Sequence, residues 1–155
     1  MTAQSATGAT SKVANSALLP LAFLVGEWRT TGTHPLRPGQ TLVGQTSFAW
    51  HEGGAFLIMR NEVDDPDFPT GLAIFASDDS SDRIVMNYFD ERGVSRLFDV
   101  VADEHAVSWR REDPTLAQSV SIIAEGSSRL ITHGRMSEKG GPWGDDLSQL
   151  FERKE

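Results

Sequence analysis

Residues 84–100 have the sequence IVMNYFDERGVSRLFDV, in which two apolar runs flank the turn sequence Asp90-Glu91-Arg92-Gly93. Runs of β-branched and aromatic residues that flank a Gly-containing turn are typical of a β-hairpin. A three-residue loop closed by its glycine in the left-handed conformation pairs Tyr88 with Arg96. A two-residue turn, which is the alternative, pairs Tyr88 with Ser95. The glycine-closed turn is the favoured prediction, and it places Tyr88 and Arg96 on the same face of the sheet.

The same pattern of short apolar runs and Gly- or Asp-rich turns continues along the chain, and no long helical pattern interrupts it. This spacing predicts an all-β fold, a single antiparallel up-and-down β-barrel of about ten strands, without parallel βαβ units. A short apolar helix over residues 16–23, with Ser16 as its N-cap, precedes the first strand and is expected to close one end. The predicted strands are 24–33, 41–50, 55–62, 71–77, 83–90, 94–101, 105–111, 116–124, 129–137 and 146–153.

The composition is that of one globular domain, with 155 residues, 39% apolar and 23% charged. Residues 1–15 are rich in Ser, Thr and Ala and are predicted to be a disordered tail before a barrel domain over 16–155. The chain has no cysteine, which excludes disulfides and thiolate metal sites and is consistent with a cytoplasmic protein. Its 14 basic residues are scattered among 22 acidic ones, so nucleic acid is not an expected partner. No apolar run approaches the ~20 residues of a membrane span.

Up-and-down connectivity divides the loops between the two ends of the predicted barrel. The loops at the end where the first strand finishes are longer and richer in proline than those at the other end. Binding surfaces concentrate on loops, so this end is predicted to be the open mouth of the barrel. The loops concerned are 34–40, 63–69, 90–93, 112–115 and 138–145.

Several polar side chains share strand faces with apolar ones, and these are the candidate ligand-binding residues. A buried charge is costly unless it is paired, so an inward arginine requires a protein carboxylate or an anionic ligand group. A guanidinium can bind a carboxylate in two-pronged fashion, and a tyrosine hydroxyl can add a further hydrogen bond. For Arg60 the alternative is a pair with Glu62 or Asp99, or an outward path to solvent. With two tryptophans, of which Trp109 is expected to line the interior, the candidates are Trp28, Arg60, Met86, Tyr88, Arg96, Trp109, Gln118 and Gln149.

The stretch Phe23-Leu24-Val25-Gly26-Glu27-Trp28 places Gly-x-Trp at the head of the first strand, just after the short helix. It resembles the opening signature of lipocalins and their calycin relatives, and its extension to Gly32 resembles the pattern of nitrobindins, from which Thr30 departs. Over residues 19–154, including 87–96 and 151–154, the chain is similar to bacterial lipocalin-like domains of unassigned function. The resemblance implies a closed barrel that holds small molecules, and the related fatty-acid-binding barrels bind carboxylates through arginine.

Three functions follow from this reasoning. The leading hypothesis is the binding of a small apolar or amphipathic molecule, possibly carboxylate-bearing. The second is an enzyme of isomerase or cyclase type that acts on a hydrophobic molecule through Tyr88 and Arg60. The third is a haem protein, since nitrobindins hold haem through a histidine of the last strand. That strand has no histidine here, and alternation places His133, one strand earlier, on the solvent face.

No haem, other cofactor or metal site is therefore predicted. The four histidines are divided between the two ends and the middle of the predicted barrel, whereas metal ligands must converge on one point. The expected partner is a small hydrophobic or amphipathic ligand. The sequence is also compatible with a homodimer.

Overall fold

The hairpin over residues 84–100 has the glycine-closed turn in the computed structural model, which describes residues 14–155. Gly93 has φ 86°, and its N–H donates to the carbonyl of Asp90 at 2.9 Å. The N–H of Asp90 donates to the carbonyl of Val94 at 3.2 Å, and Tyr88 lies opposite Arg96. The predicted register is confirmed.

Each strand pairs antiparallel with the next, and β1 pairs with β10, so the sheet closes on itself. The predicted fold, an all-β up-and-down barrel of ten strands, is confirmed. Closure leaves no unpaired sheet edge, and alternate side chains along each strand face the interior. The strands are β1 (Gly26–Thr33), β2 (Leu42–His51), β3 (Phe56–Val63), β4 (Gly71–Ser77), β5 (Ile84–Asp90), β6 (Ser95–Ala102), β7 (Ala106–Arg111), β8 (Leu116–Glu125), β9 (Arg129–Glu138) and β10 (Gly144–Arg153).

A 3₁₀ helix, Ser16–Leu24, closes the end of the barrel where β1 begins, as predicted. Its three fully buried leucines pack into the core. The predicted N-cap, Ser16, is wrong, because Asn15 takes that position: its Oδ1 accepts from the N–H of Ala17 at 3.1 Å. The Asn15 side chain also donates to Ser77 Oγ at 2.8 Å, a tertiary contact that local sequence does not reveal. The buried leucines are Leu18, Leu21 and Leu24.

The predicted tail over 1–15 falls mainly on residues 1–13, which lie outside the described residues. Ala14 donates its N–H to the carbonyl of Gly53 at 3.0 Å, in a second short 3₁₀ turn, Glu52–Gly54. Within residues 14–155, neither helix has the length and apolar character needed to cross a membrane.

Trp28 joins the helix to the first and last strands beneath the barrel interior. Its side chain is 1% exposed, and its Nε1 donates to the carbonyl of Leu24 at 2.8 Å. The guanidinium of Arg153 lies 4.2 Å from the centre of the indole ring and donates to the carbonyl of Val25 at 2.7 Å. Trp28 and Arg153 are direct partners on β1 and β10. The Gly-x-Trp segment thus belongs to the closed lower end.

A β-bulge in β10 changes which side chains reach the upper interior. Asp145 pairs with Arg135 and Ser148 pairs with His133, so three steps along β10 match two steps along β9. The extra residue puts both Asp146 and Leu147 opposite Gly134. A Cβ on Gly134 would lie 2.4 Å from the carbonyl oxygen of Leu147, so this position requires glycine.

Candidate ligand-binding cavity

The upper half of the barrel contains a cavity of about 360 Å³ that opens at the end predicted to be the mouth. Ligand pockets in proteins commonly measure roughly 300–1,000 Å³, so this one is large enough for a small molecule. Its deeper wall is apolar, and its polar groups cluster near the opening. The apolar lining includes Met59, Met86, Phe98, Trp109, Val120, Ile122, Leu147 and Phe151.

The structure brings six of the eight predicted site residues together around this cavity. Tyr88 and Arg96 are cross-strand partners and both line the cavity, so the faces of β5 and β6 that carry them point inward. Alternation places the other four on the inner faces of their strands as well. The six are Met86, Tyr88, Arg96, Trp109, Gln118 and Gln149.

The other two predicted site residues lie elsewhere. Trp28 packs below the cavity, as described above. Arg60 does not reach the cavity but takes the outward path that the sequence left open as the alternative, because Leu57, Met59 and Asn61 form the inner face of β3. Arg60 lies in an outer groove with residues that include Glu62 and Lys154. Its neighbours Phe56 and Ile58 are only half-buried, which made the outer face resemble an inner one.

A chain of hydrogen bonds crosses the mouth from Arg96 to His34. The guanidinium of Arg96 donates to Oε1 of Gln118 at 3.0 Å, and Nε2 of Gln118 donates to Asp146 at 3.4 Å. Nε2 of His34 lies 3.0 Å from the other oxygen of Asp146. Because Nδ1 of His34 accepts from the N–H of Leu36 at 3.0 Å, the proton sits on Nε2, which donates to Asp146.

This chain satisfies the carboxylate of Asp146 but leaves Arg96 with donors to spare. Among residues 14–155, no carboxylate lies within 4.0 Å of the Arg96 guanidinium, and its hydrogen-bond partner Gln118 is neutral. A guanidinium has five N–H donors in a planar fork. Half-buried at the mouth, Arg96 is therefore suited to bind an anionic group that enters the cavity.

Tyr88 belongs to a second, tighter cluster on the same rim. Its hydroxyl donates to Oδ2 of Asp90 at 2.7 Å, and Arg92 binds both oxygens of Asp90 at 3.1 and 2.7 Å. Burial, followed by the hydrogen bond to Asp90, raises the pKa of Tyr88 above its usual range. The Arg92 hydrogen bond lowers the pKa of Asp90 to about 2 against the effect of burial, with help from Tyr88. Tyr88 is therefore neutral and offers a lone pair, not a proton, to a ligand.

Two loops are tied together over the opening. Arg37, from the β1–β2 loop, forms ion pairs with Asp65 and Asp67 in the β3–β4 loop. The ring of Phe68 packs edge-on against His34, with 5.1 Å between ring centres, and lies under the guanidinium of Arg37. The rim next to Asp146 is thus held by contacts between loops.

Some polar residues of the mouth were not among the sequence candidates, and they include His34, Asp146 and Asp90. His34 lies in a loop assigned to the mouth, but nothing in the sequence links it to Asp146, 112 positions away. Asp146 reaches the interior through the bulge, which alternation does not anticipate. Asp90 was treated as a turn residue, although the predicted register already placed it two positions from Tyr88 on the same face.

The cavity does not offer a histidine for haem iron. His133 is exposed and pairs with Asp145 on the outer surface, as alternation predicted. Of the described residues that line the cavity, His34 is the one histidine, and both of its ring nitrogens are engaged. Residues 14–155 also contain no group of three or more His, Asp or Glu side chains placed to hold a metal ion. A haem held by imidazole does not fit these residues.

Comparison of the sequence with protein-family models and with curated proteins gives no match. Solved structures do match. The crystal structure of Rv2717c from M. tuberculosis is 16% identical over 90% of this chain and 98% of that chain, with a TM-score of 0.65. EF1p2_mFAP2b bound to DFHBI is 12% identical over 90% and 100% of the two chains, with a TM-score of 0.49. The redesigned β-barrel b11L5F_LGL is 14% identical over 91% and 96%, with a TM-score of 0.42. At these identities the likeness concerns the fold alone.

Proposed function

We propose that this protein binds a small amphipathic molecule, with the apolar part inside the barrel and a carboxylate on Arg96 at the mouth. The observation that carries this proposal is the guanidinium of Arg96, which faces the cavity with a neutral hydrogen-bond partner, Gln118. A ligand carboxylate would supply the missing counter-charge through charge-assisted hydrogen bonds.

The distribution of polarity along the cavity supports the same orientation. The floor is formed by methionine, aromatic and branched side chains, which favour an alkyl or ring portion of the ligand. Asp90 and Asp146 also lie at the mouth, but Arg92 neutralises the first and His34 and Gln118 satisfy the second. Of the described arginines that line the cavity, Arg92 and Arg96, it is Arg96 that has no carboxylate paired with it.

We further propose that the chain is a calycin. The Gly-x-Trp segment begins β1 directly after the closing helix, and Trp28 is bonded to that helix through Leu24. The placement of this motif at the closed end supports the resemblance that the sequence indicates.

A second candidate is an enzyme that moves a proton on an apolar substrate. The hydrogen-bonded pair of His34 and Asp146 in the mouth favours it, since such pairs serve in general acid–base catalysis. Against it, Nδ1 of His34 accepts a hydrogen bond from the N–H of Leu36, and the Tyr88 hydroxyl already donates its hydrogen bond to Asp90. Arg60, the other residue considered for catalysis, lies outside the cavity. Chemical conversion of a bound molecule that is lost in His34→Asn would favour the enzyme.

The binding proposal is tested by titration with a fatty acid that carries a fluorophore at its methyl end. Wild-type protein is expected to bind it saturably, and Arg96→Gln is expected to bind it roughly ten- to a hundredfold more weakly, because a charge-assisted hydrogen bond is lost. Arg129→Gln is the matched control. Arg129 is exposed beside Glu125, at the end of β9 that lies away from the mouth. Absence of saturable binding, or equal affinity in both variants, would contradict the proposal.

A further inference from the structure

Among residues 14–155, two side chains in the cavity wall below the mouth each carry a buried polar atom without a hydrogen-bond partner. Thr132 on β9 and Gln149 on β10 are direct cross-strand partners, each is 7% exposed, and both line the cavity. Thr132 Oγ1 and Gln149 Nε2 are buried and have no hydrogen-bond partner among residues 14–155. A buried polar atom without a partner costs free energy, so two adjacent ones in a cavity wall indicate a place for a ligand atom.

The backbone makes room for this pair. Gln149 lies opposite Gly32 on its other side, and a Cβ at Gly32 would lie 2.8 Å from Cγ of Gln149. The neighbours at this depth are apolar: Ile122 is the β8 partner of Thr132, and Phe151 follows Gln149 on the inner face. The pair is an isolated polar spot in an apolar wall.

The position of the pair along its strands indicates how far below the mouth a ligand would meet it. Thr132 is four residues along β9 from Met136, which pairs with Gln118, the partner of Arg96. Four residues of a β-strand span about 13 Å. The arginines that line the cavity within the described residues, Arg92 and Arg96, both lie at the mouth, so a charged group at Thr132 and Gln149 would have no counter-ion.

We propose that the ligand carries, besides its carboxylate, a neutral oxygen that accepts hydrogen bonds from Thr132 and Gln149. A ketone, a hydroxyl or an ester carbonyl well along the chain meets this description, so the ligand class is an oxo or hydroxy derivative of a long-chain acid. This inference rests on the binding function proposed above and adds a second polar contact to it. The carboxylate binds Arg96, and the neutral oxygen sets the depth of insertion.

Calorimetric titration with dodecanoic acid and three oxo-dodecanoic acids tests the inference. The three oxo acids differ in the position of the ketone. It lies near the carboxyl group in the first, in the middle of the chain in the second and near the methyl end in the third. The acid with its ketone near the methyl end is expected to bind about tenfold more tightly than dodecanoic acid. This ratio is equivalent to about 1.4 kcal/mol of binding free energy. Thr132→Val and Gln149→Leu are expected to abolish this preference, so that each variant binds the ketone acid no more tightly than it binds dodecanoic acid.

Thr30→Val is the matched control, because Thr30 Oγ1 is also buried without a partner but does not line the cavity. It should retain the preference. If wild-type protein binds dodecanoic acid and shows no preference for any ketone, the second contact is refuted while the carboxylate site stands. If none of the acids binds, both proposals are refuted.

Stability without ligand gives an independent test of the same pair. If Thr132 and Gln149 serve to bind a ligand, Thr132→Val and Gln149→Leu should have a free energy of unfolding in urea at least as high as that of wild-type protein. The reason is that an apolar replacement removes an unpaired polar atom. A clear loss of stability in both variants would show that these groups have a structural role, and would overturn the inference.

Discussion

Tyr88 and Arg96 are direct cross-strand partners on the cavity wall, yet they form hydrogen bonds with different neighbours. The Tyr88 hydroxyl donates to Asp90 at 2.7 Å, and the Arg96 guanidinium donates to Gln118 at 3.0 Å. The joint clamp on a carboxylate that the sequence suggests is therefore divided between two roles. Arg96 supplies the donors for an anion, and Tyr88 holds the turn that carries Asp90 and Arg92.

The buried carboxylate of Asp90 makes the free energy of unfolding depend on pH. Its pKa is lowered to about 2 from an ordinary 3.8, so its contribution is complete above about pH 5 and is lost as the pH falls toward 2. We expect this contribution to be on the order of 1 kcal/mol, since Arg92 is half-exposed and water screens the pair. Urea unfolding of wild-type protein and Asp90→Asn should therefore show a stability difference that shrinks between about pH 5 and pH 2.5.

The control for this experiment is Asp99→Asn, because Asp99 is 75% exposed and lies 3.7 Å from Arg83. Its difference from wild-type protein should stay small over the same range. A difference for Asp90→Asn that does not change with pH would show that the charge of Asp90 does not stabilise the fold.

Replacement of Gly134 should damage both the bulge and the mouth. Gly134→Ala places a methyl group against the carbonyl of Leu147, so β10 must shift and Asp146 with it. Overpacking of this kind typically costs about 1–3 kcal/mol of unfolding free energy, which urea denaturation measures. Gly144→Ala is the control, since a Cβ there meets no atom within 4 Å. Equal stability of the two variants would argue against the bulge.

The fluorescence of Trp109 should report the entry of a ligand into the cavity. Trp109 lines the cavity, whereas Trp143 lies outside it under the guanidinium of Arg110, 4.6 Å from its ring centre. Binding of a non-fluorescent fatty acid should change the emission of wild-type protein, and Trp109→Phe should lose most of that change. Trp143→Phe should keep it. The reverse outcome would place the ligand outside the barrel.

The position of Arg60 differs between the structure and the sequence-based prediction, and binding can test which one is right. Its side chain lies on the outer face of β3, so Arg60→Ala should bind the fluorescent acid with wild-type affinity. The same titration measures this. A loss of affinity comparable to that of Arg96→Gln would show that Arg60 takes part in binding.

Alternation and turn chemistry predicted the barrel and much of its inner wall. The inference worked for Tyr88 and Arg96 because the turn at Gly93 allows few registers, and one step of error would move every side chain to the other face. It failed for Arg60 because both faces of β3 carry apolar side chains. On the outer face Ile58 pairs with Ile74, so the cross-strand partners cover each other.

The polar half of the mouth depends on features that a single strand does not encode. Asp146 turns inward only because β10 gains one residue against β9, and that bulge depends on the absence of a side chain at Gly134 on the neighbouring strand. His34 is positioned by loop contacts with Leu36 and Phe68. Such contacts arise from tertiary packing, so the sequence yielded the arginine but not the network around it.

Calorimetry with dodecanoic acid and dodecanol, on wild-type protein and Arg96→Gln, tests the central claim most directly. The two ligands share an alkyl chain and differ in the charge that Arg96 is proposed to bind. If Arg96 binds the carboxylate, Arg96→Gln loses roughly ten- to a hundredfold in affinity for the acid and nothing for the alcohol. Equal losses for both ligands, or no loss for the acid, would contradict this claim.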